Sequence, residues 1–262
     1  MGNRKIIYTT GFKTGSLYKK KGVDIARIWV DYRFNFWKRY TLNSILNQSN
    51  KDWEYWFIVD DTSYNLLDGR FDLIQDPRIK LVFRNDQVSA GRDTGNYDYY
   101  IVFRLDSDDM YRYDVTDESM NIEFESDDGL YKYIQYTHGY IYKASTKQLK
   151  EWWRRHMTPP FFARIYTNNE WSRMIGSDKL ELFDGGHEQV RLYKRKLLDS
   201  GRFCVGIHDL NMVTTLGKRT EVFDENNKKK ILYGFGVNYP ETDFLSSSEH
   251  DPWGLLPGGW KE

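Results

Sequence analysis

The stretch Ile101 to Tyr111, I-V-F-R-L-D-S-D-D-M-Y, constrains this chain more than any other. Tyr97 to Tyr100 lead into it with strand-forming aromatics, and Ile101, Val102 and Phe103 read as a buried strand. The acidic side chains predict that the strand ends at Asp106. Asp106, Ser107, Asp108 and Asp109 then sit at its C-terminal edge, where open α/β sheets keep their ligand crevice. Asp106 and Asp108 stand two residues apart where the strand breaks into a turn, so the backbone can aim both at one point. Oxygen ligands of this kind suit Mg2+ or Mn2+. A buried cluster of like charges is costly without a cation. The plain alternative is a solvated acidic turn.

The rest of the chain supplies a frame for that strand. Ile6 to Gly11, Trp53 to Val59 and Ile79 to Phe83 read as further buried strands. Between the first two, Phe34, Trp37, Leu42, Ile45 and Leu46 fall at helical spacing over residues 31–47. Alternating strand and helix predict an α/β fold, with a mostly parallel sheet and helices on its faces. Lys13 to Lys21 reads as a basic loop, with Lys19, Lys20 and Lys21 as candidate phosphate contacts. Ser89 to Asn96, which carries Arg92, reads as a Gly-containing loop.

Later, Gly129 to Tyr136 and His138 to Tyr142 read as hairpin partners. Gln148 to Met157 reads as a Trp- and Arg-rich helix, in which Trp152 and Trp153 are candidates for core packing or for stacking on an acceptor. Phe161 to Tyr166 reads as a strand. Asp184 to Gln189 opens a predicted helix through Leu198, closed by Gly201. Phe203 to Ile207 reads as a late strand with His208 at its end. Residues 217–262 read as a loop-rich extension, with Asn226 to Lys230, Ser246 to Ser248 and Pro257 to Gly259 as its irregular segments.

Charge and cysteine content narrow the function classes. There are 38 basic and 38 acidic residues, a formal net charge of +0, so no overall pull toward nucleic acid or an anionic membrane arises. One cysteine, Cys204, excludes an intrachain disulfide and a cysteine-based zinc site. Met1 to Lys5 is polar, and no run approaches about 18 consecutive apolar residues. A soluble protein of the cytoplasm is the expectation.

Several stretches together resemble the GT-A type of nucleotide-sugar glycosyltransferase, and within it the family described as rhamnosyltransferases. Arg33-Phe34 through Phe36, Tyr40-Thr41-Leu42, Ser44-Ile45-Leu46, Gln48 and Lys51-Asp52-Trp53 resemble that family's helix and second strand. Val59-Asp60-Asp61-Thr62-Ser63 resembles the V-D-D-G-S of the wider group, and Arg104-Leu105-Asp106-Ser107-Asp108-Asp109 resembles T-R-L-D-x-D-D. The likeness covers residues 5–112 well and 129–215 loosely.

The resemblance implies a GT-A (Rossmann-like) catalytic domain over residues 1–216. Its nucleotide-binding half would be 1–112 and its acceptor-side half, with a smaller antiparallel portion, 113–216. It also implies roles. Thr10 and Asp61 would hold the nucleobase. Asp106 would contact ribose or help position the metal. Asp108 and Asp109 would bind Mn2+ or Mg2+, with His208 completing the shell. Arg92 and Arg104 would assist the diphosphate, a structural ion pair with a neighbouring aspartate being the alternative for Arg104. Gly186-His187-Glu188-Gln189 resembles the segment that supplies the general base, but Gln189 replaces the usual second acid, which leaves Glu188 or Asp184 for that task. The implied activity is metal-dependent transfer of a sugar from a nucleotide-diphosphate donor to a hydroxyl on a glycan, a protein or a modified nucleobase. Nucleic acid would enter only as acceptor. Two other readings stay open: a metal-dependent nuclease or phosphotransferase using Asp106, Asp108 and Glu188, and a non-catalytic carbohydrate-binding protein on the same frame.

Overall fold

A computed structural model describes residues 2–127, 129–143, 146–153, 161–177, 180, 182–183, 187–207 and 219–238. The first half alternates as expected. Strand β1 (Arg4–Phe12) leads to α1 (Gly15–Lys21) and α2 (Val23–Phe36). A π-helical segment, Trp37–Leu42, joins α2 to α3 (Asn43–Leu46) without a break. Next come β2 (Trp53–Val59), α4 (Asp61–Leu67), a 3-10 turn (Arg70–Leu73), β3 (Ile79–Phe83), α5 (Gln87–Arg92) and β4 (Tyr99–Arg104). Then follow β5 (Asp109–Tyr111), α6 (Val115–Asn121), and the two-residue strands β6 (Glu125–Ser126) and β7 (Gly129–Leu130), which pair with each other. The remainder comprises β8 (Tyr133–Tyr136), β9 (His138–Lys143), β10 (Gln148–Trp153), β11 (Phe162–Thr167), α7 (Asn168–Gly176), a 3-10 segment (His187–Leu192), β12 (Arg195–Leu198), β13 (Phe203–Ile207) and α8 (Glu225–Gly234).

Seven strands form one sheet in the order β12-β8-β11-β4-β1-β2-β3. All neighbours are parallel except the two that flank β11. Both faces are buried, because successive side chains of a strand point to opposite sides. Ile6, Tyr8, Phe57 and Phe103 face α2, α4 and α6 through Val30, Phe34, Leu66 and Val115. Ile7, Trp56, Ile58 and Val102 face α5 and α7 through Val88 and Trp171. This is the α/β architecture expected, with helices on both faces.

A smaller sheet, β10-β9-β13-β5, is antiparallel except between β9 and β13. It branches from the main sheet just after the acidic turn. Phe36, Met110, Tyr142, Leu149 and Cys204 pack there against Leu232 and Phe235 of α8. Residues 219–238 therefore form part of the body.

The central strand ends at Arg104 and not at Asp106. Residues 15–21 are helical, and the three lysines in the last turn of α1 complement its C-terminal dipole. Residues 87–92 are helical too. Gly91 sits there because α7 and its following chain press close, a Cβ meeting Leu180 at 3.1 Å. β8 and β9 do not form a hairpin: only Thr137 separates them, too short a link for the two-residue turn a hairpin needs, and they enter different sheets.

Gln148–Trp153 is a strand because it pairs along β9 and buries Leu149 and Trp152; residues 154–157 of the predicted helix lie outside the described residues. Within the predicted helix from Asp184 to Leu198, His187–Leu192 is a 3-10 segment and Arg195–Leu198 is β12, which pairs with β8; residues 184–186 lie outside the described residues. Asn226 to Lys230 is helical, capped by the Asp224 carboxylate accepting from the Asn227 N–H at 2.7 Å. Ser246 to Ser248 and Pro257 to Gly259 lie outside the described residues.

Candidate active site

The C-terminal ends of β1, β2 and β4 open onto a cavity of about 770 Å3, a size typical of small-ligand sites. Thr9, Gly11 and Leu105 line it from the sheet. Ile58, Leu180, Leu182 and Phe183 give it an apolar side. Lys13, Arg84 and Arg104 bring three cations to it, and Asp106 one carboxylate. Partial burial holds the Lys13 ammonium below its usual pKa. Repulsion from Arg84 and Arg104 adds to this, and attraction to Asp60 opposes it. Lys13 is thus within electrostatic reach of both arginines. Arg104 Nη2 lies 3.2 Å from Asp106 Oδ1, and the Asp106 side chain keeps 43% of its surface exposed.

The acidic turn is fixed from three directions. From the sheet, the Leu105 N–H donates to the Thr9 carbonyl at 2.9 Å. From the helices comes a relay. Trp37 Nε1–H donates to Tyr55 Oη at 2.7 Å, the Tyr55 hydroxyl donates to Thr10 Oγ1, and Thr10 Oγ1 donates to the Leu105 carbonyl at 2.8 Å. From the smaller sheet, the Gly206 N–H donates to the Asp108 carbonyl at 3.0 Å.

The Arg33 guanidinium then grips the turn's side chains. Nη2 and Nη1 donate to the two oxygens of Asp108 at 2.7 and 3.0 Å, and Nε donates to Ser107 Oγ at 2.8 Å. This fork geometry is the strongest arrangement open to an arginine and a carboxylate. Both side chains are largely shielded, at 15% and 10% exposure.

The expected site residues separate into groups. Asp106 and Arg104 face the cavity together. Asp108 is turned into its pair with Arg33. Asp109 is buried in β5; desolvation first, then the neighbouring Asp108 and Asp106, push its carboxyl well above the usual range. Thr10 is fully buried, its hydroxyl is engaged within the core, and it does not line the cavity. Asp61 is exposed in the first turn of α4, and Arg92 is exposed at the end of α5; neither lines the cavity. Asp60, not Asp61, is turned inward, accepting from the Ser63 and Gly15 N–H groups. Asp184 and His208, and the side chain of Glu188, lie outside the described residues.

A divalent ion needs several oxygens aimed at one point. Of the three aspartates, Asp106 alone lines the cavity; Asp108 is occupied on both oxygens and Asp109 is enclosed. Among the described residues no group of three His, Cys, Asp or Glu converges on a metal position. The acidic cluster in this arrangement does not fit the implied metal centre.

Lys13 and Arg84 did not emerge from the sequence reading. Lys13 follows β1 directly and Arg84 follows β3, so the strand-end rule that selected Asp106 applies equally to them. Arg33 carried a motif but no role, because its partner is 75 residues away.

No protein-family model matches the chain, and no curated protein matches it. Among solved structures it is similar to residues 1–349 of TarS from S. aureus, at 12% identity and a TM-score of 0.40, over 88% of this chain and 70% of that one. A crystal structure of the same fragment in complex with UDP matches at 11% identity and a TM-score of 0.40, over 95% and 68%. A protein described as a nucleotide-diphospho-sugar transferase from Desulfovibrio desulfuricans G20 matches at 10% identity and a TM-score of 0.35, over 89% and 95%.

Proposed function

We propose that this protein is a glycosyltransferase that moves a sugar from a nucleoside-diphosphate donor to a hydroxyl-bearing acceptor. The observation that carries the reading is the cavity at the strand ends, which Lys13, Arg84, Arg104 and Asp106 line together with the apolar side chains of Ile58, Leu180, Leu182 and Phe183. A nucleotide sugar presents matching chemistry: a flat base for the apolar side, ribose hydroxyls for a carboxylate, and a diphosphate for the cations. The R-L-D-S-D-D sequence and the helix pattern from Arg33 to Gln48 support the same reading.

The transfer step balances as follows. The acceptor oxygen forms a bond to the anomeric carbon as the bond from that carbon to the diphosphate oxygen breaks. The bonding pair leaves on the diphosphate, whose new charge the three cavity cations stabilise. The acceptor's proton passes to a carboxylate acting as general base, for which Glu188 and Asp184 are the candidates; such help is worth ~10²–10⁴ in rate. The acceptor is a glycan, a protein or a modified nucleobase, and a rhamnosyl donor is one member of the panel to be tested. Among the described residues no helix is long and apolar enough to cross a membrane.

A thermal-shift screen of nucleoside diphosphates and nucleotide sugars tests the reading. A ligand at 100 times its Kd stabilises by ~2.7 kcal/mol, roughly 5–11 °C in a chain of this size. Glu188→Gln and Asp184→Asn are expected to keep donor binding, and one of them to stop transfer. No stabilisation by any member of the panel would count against the reading. Donor binding with neither hydrolysis nor transfer would favour a carbohydrate-binding protein on this frame.

A further inference from the structure

We propose that this protein holds the diphosphate of its donor with its own cations, Lys13, Arg84 and Arg104, and that Arg33 occupies the carboxylate a divalent ion would claim, so that donor binding proceeds without a metal. The inference rests on the reading of the cavity as the donor site.

Asp108 is the second acid of an aspartate-x-aspartate sequence. In a metal-bridged site its oxygens would be free to reach the ion. Here Arg33 donates to both, at 2.7 and 3.0 Å, and donates to Ser107 between the two acids at 2.8 Å. The pair is shielded from water on both sides, so the attraction is little screened. An ion could take Asp108 only by stripping the guanidinium from a carboxylate and a hydroxyl at once. That would leave a buried arginine with lost partners, a costly exchange. Arg33 also does one thing a metal would do: it cancels a negative charge behind the cavity.

Charge at the cavity completes the case. Lys13, Arg84 and Arg104 against Asp106 leave three positive and one negative, a net +2 among its lining residues. That balances the single negative charge on each of the two phosphates in a nucleotide sugar. A metal added to the same wall would overshoot it. Lys13, Arg84 and Arg104 line the same cavity, so three like charges share one region. A dianion placed among them relieves that crowding, as a metal would relieve a crowd of carboxylates.

The test is titration calorimetry with uridine, guanosine and deoxythymidine diphosphates, each in EDTA and in Mn2+, on the full chain. The expected result is that the best nucleotide binds within about threefold of the same Kd in both conditions. Arg84→Gln and Lys13→Met should each weaken it, roughly tenfold to hundredfold, in both conditions, as loss of a charged contact requires. Arg33→Gln gives the readout that a merely structural role would not move. With both oxygens of Asp108 released beside Asp106, nucleotide affinity in that variant should become Mn2+-dependent. Arg84→Gln lies on the cavity wall and keeps the test decisive should Arg33→Gln fail to fold. Binding by the unaltered protein only in Mn2+ would overturn the inference and leave the donor-site reading standing. Binding that ignores metal and survives both cavity substitutions would overturn the inference as well. Absence of binding in every condition would sink both.

Discussion

Gly206→Ala puts the greatest leverage on the acidic turn from the smallest change in sequence. A Cβ on Gly206 would lie 2.3 Å from the Asp108 carbonyl oxygen and 3.0 Å from the Phe36 ring. Reaching ordinary contact at 3.4 Å needs a displacement of 3.4 − 2.3 = 1.1 Å. The nearest neighbour is backbone and the next is the ring of buried Phe36, so no flexible side-chain end can absorb it. Forcing a methyl into a packed site costs ~1–3 kcal/mol, and losing the Gly206 N–H to Asp108 hydrogen bond adds ~0.5–1.5 kcal/mol. The sum, ~1.5–4.5 kcal/mol, corresponds to a drop in Tm of roughly 3–18 °C for a chain of this size. The turn that moves also carries Asp106. Misplacement by ~1 Å can reduce transfer by ~10²-fold. Thermal denaturation and initial rates of transfer measure the two effects. A variant that melts within about 1 °C of the parent and transfers normally would refute the claim that the smaller sheet fixes the acidic turn.

Three further outcomes follow from the same geometry. Asp108→Asn leaves the Arg33 guanidinium shielded without its counter-charge and should cost ~3–5 kcal/mol in chemical denaturation; a loss below ~1 kcal/mol would mean the pair is solvated like a surface ion pair. Thr10→Val removes the middle of the Tyr55–Leu105 relay and should cost ~1–3 kcal/mol with nucleotide affinity unchanged; a tenfold loss of affinity at unchanged stability would restore Thr10 as a ligand contact. Burial lowers the pKa of His138, opposed by Glu151 and Asp199. The folded state therefore prefers the neutral imidazole, and its contribution is complete above the unfolded value of ~6.5 and is lost as pH falls through the lower folded value. His138→Phe should flatten the stability profile below about pH 6.5, and an unchanged profile would remove His138 from the account.

The sequence shows the parallel core clearly because its strands are short, apolar and buried on both faces. Trp53–Val59, Ile79–Phe83 and Phe203–Ile207 have the bounds that their composition announces. The errors gather where tertiary pairing overrides local pattern. Gln148–Trp153 opens a Trp- and Arg-rich run that reads as a helix, yet β9 offers it an edge and the strand buries Leu149 and Trp152. α1 and α5 are six or seven residues long and punctuated by glycine, so periodicity cannot mark them.

At the site, Arg104 and Asp106 were legible because one ends and the other closely follows a strand whose burial is plain. The fate of Asp108 was not. Nothing local distinguishes a carboxylate that will face a ligand from one that will meet an arginine 75 positions earlier. The burial of Thr10 was hidden for the same reason: its partners are Tyr55 on β2 and Leu105 just past β4, 45 and 95 positions away.

The most direct measurement is a crystal structure of the protein soaked with the nucleotide sugar that stabilises it best. The account predicts density for the two phosphates among Lys13, Arg84 and Arg104, with Asp106 beside them and Arg33 still paired to Asp108. Density for the ligand elsewhere on the molecule, with this cavity holding none of it, would contradict the account.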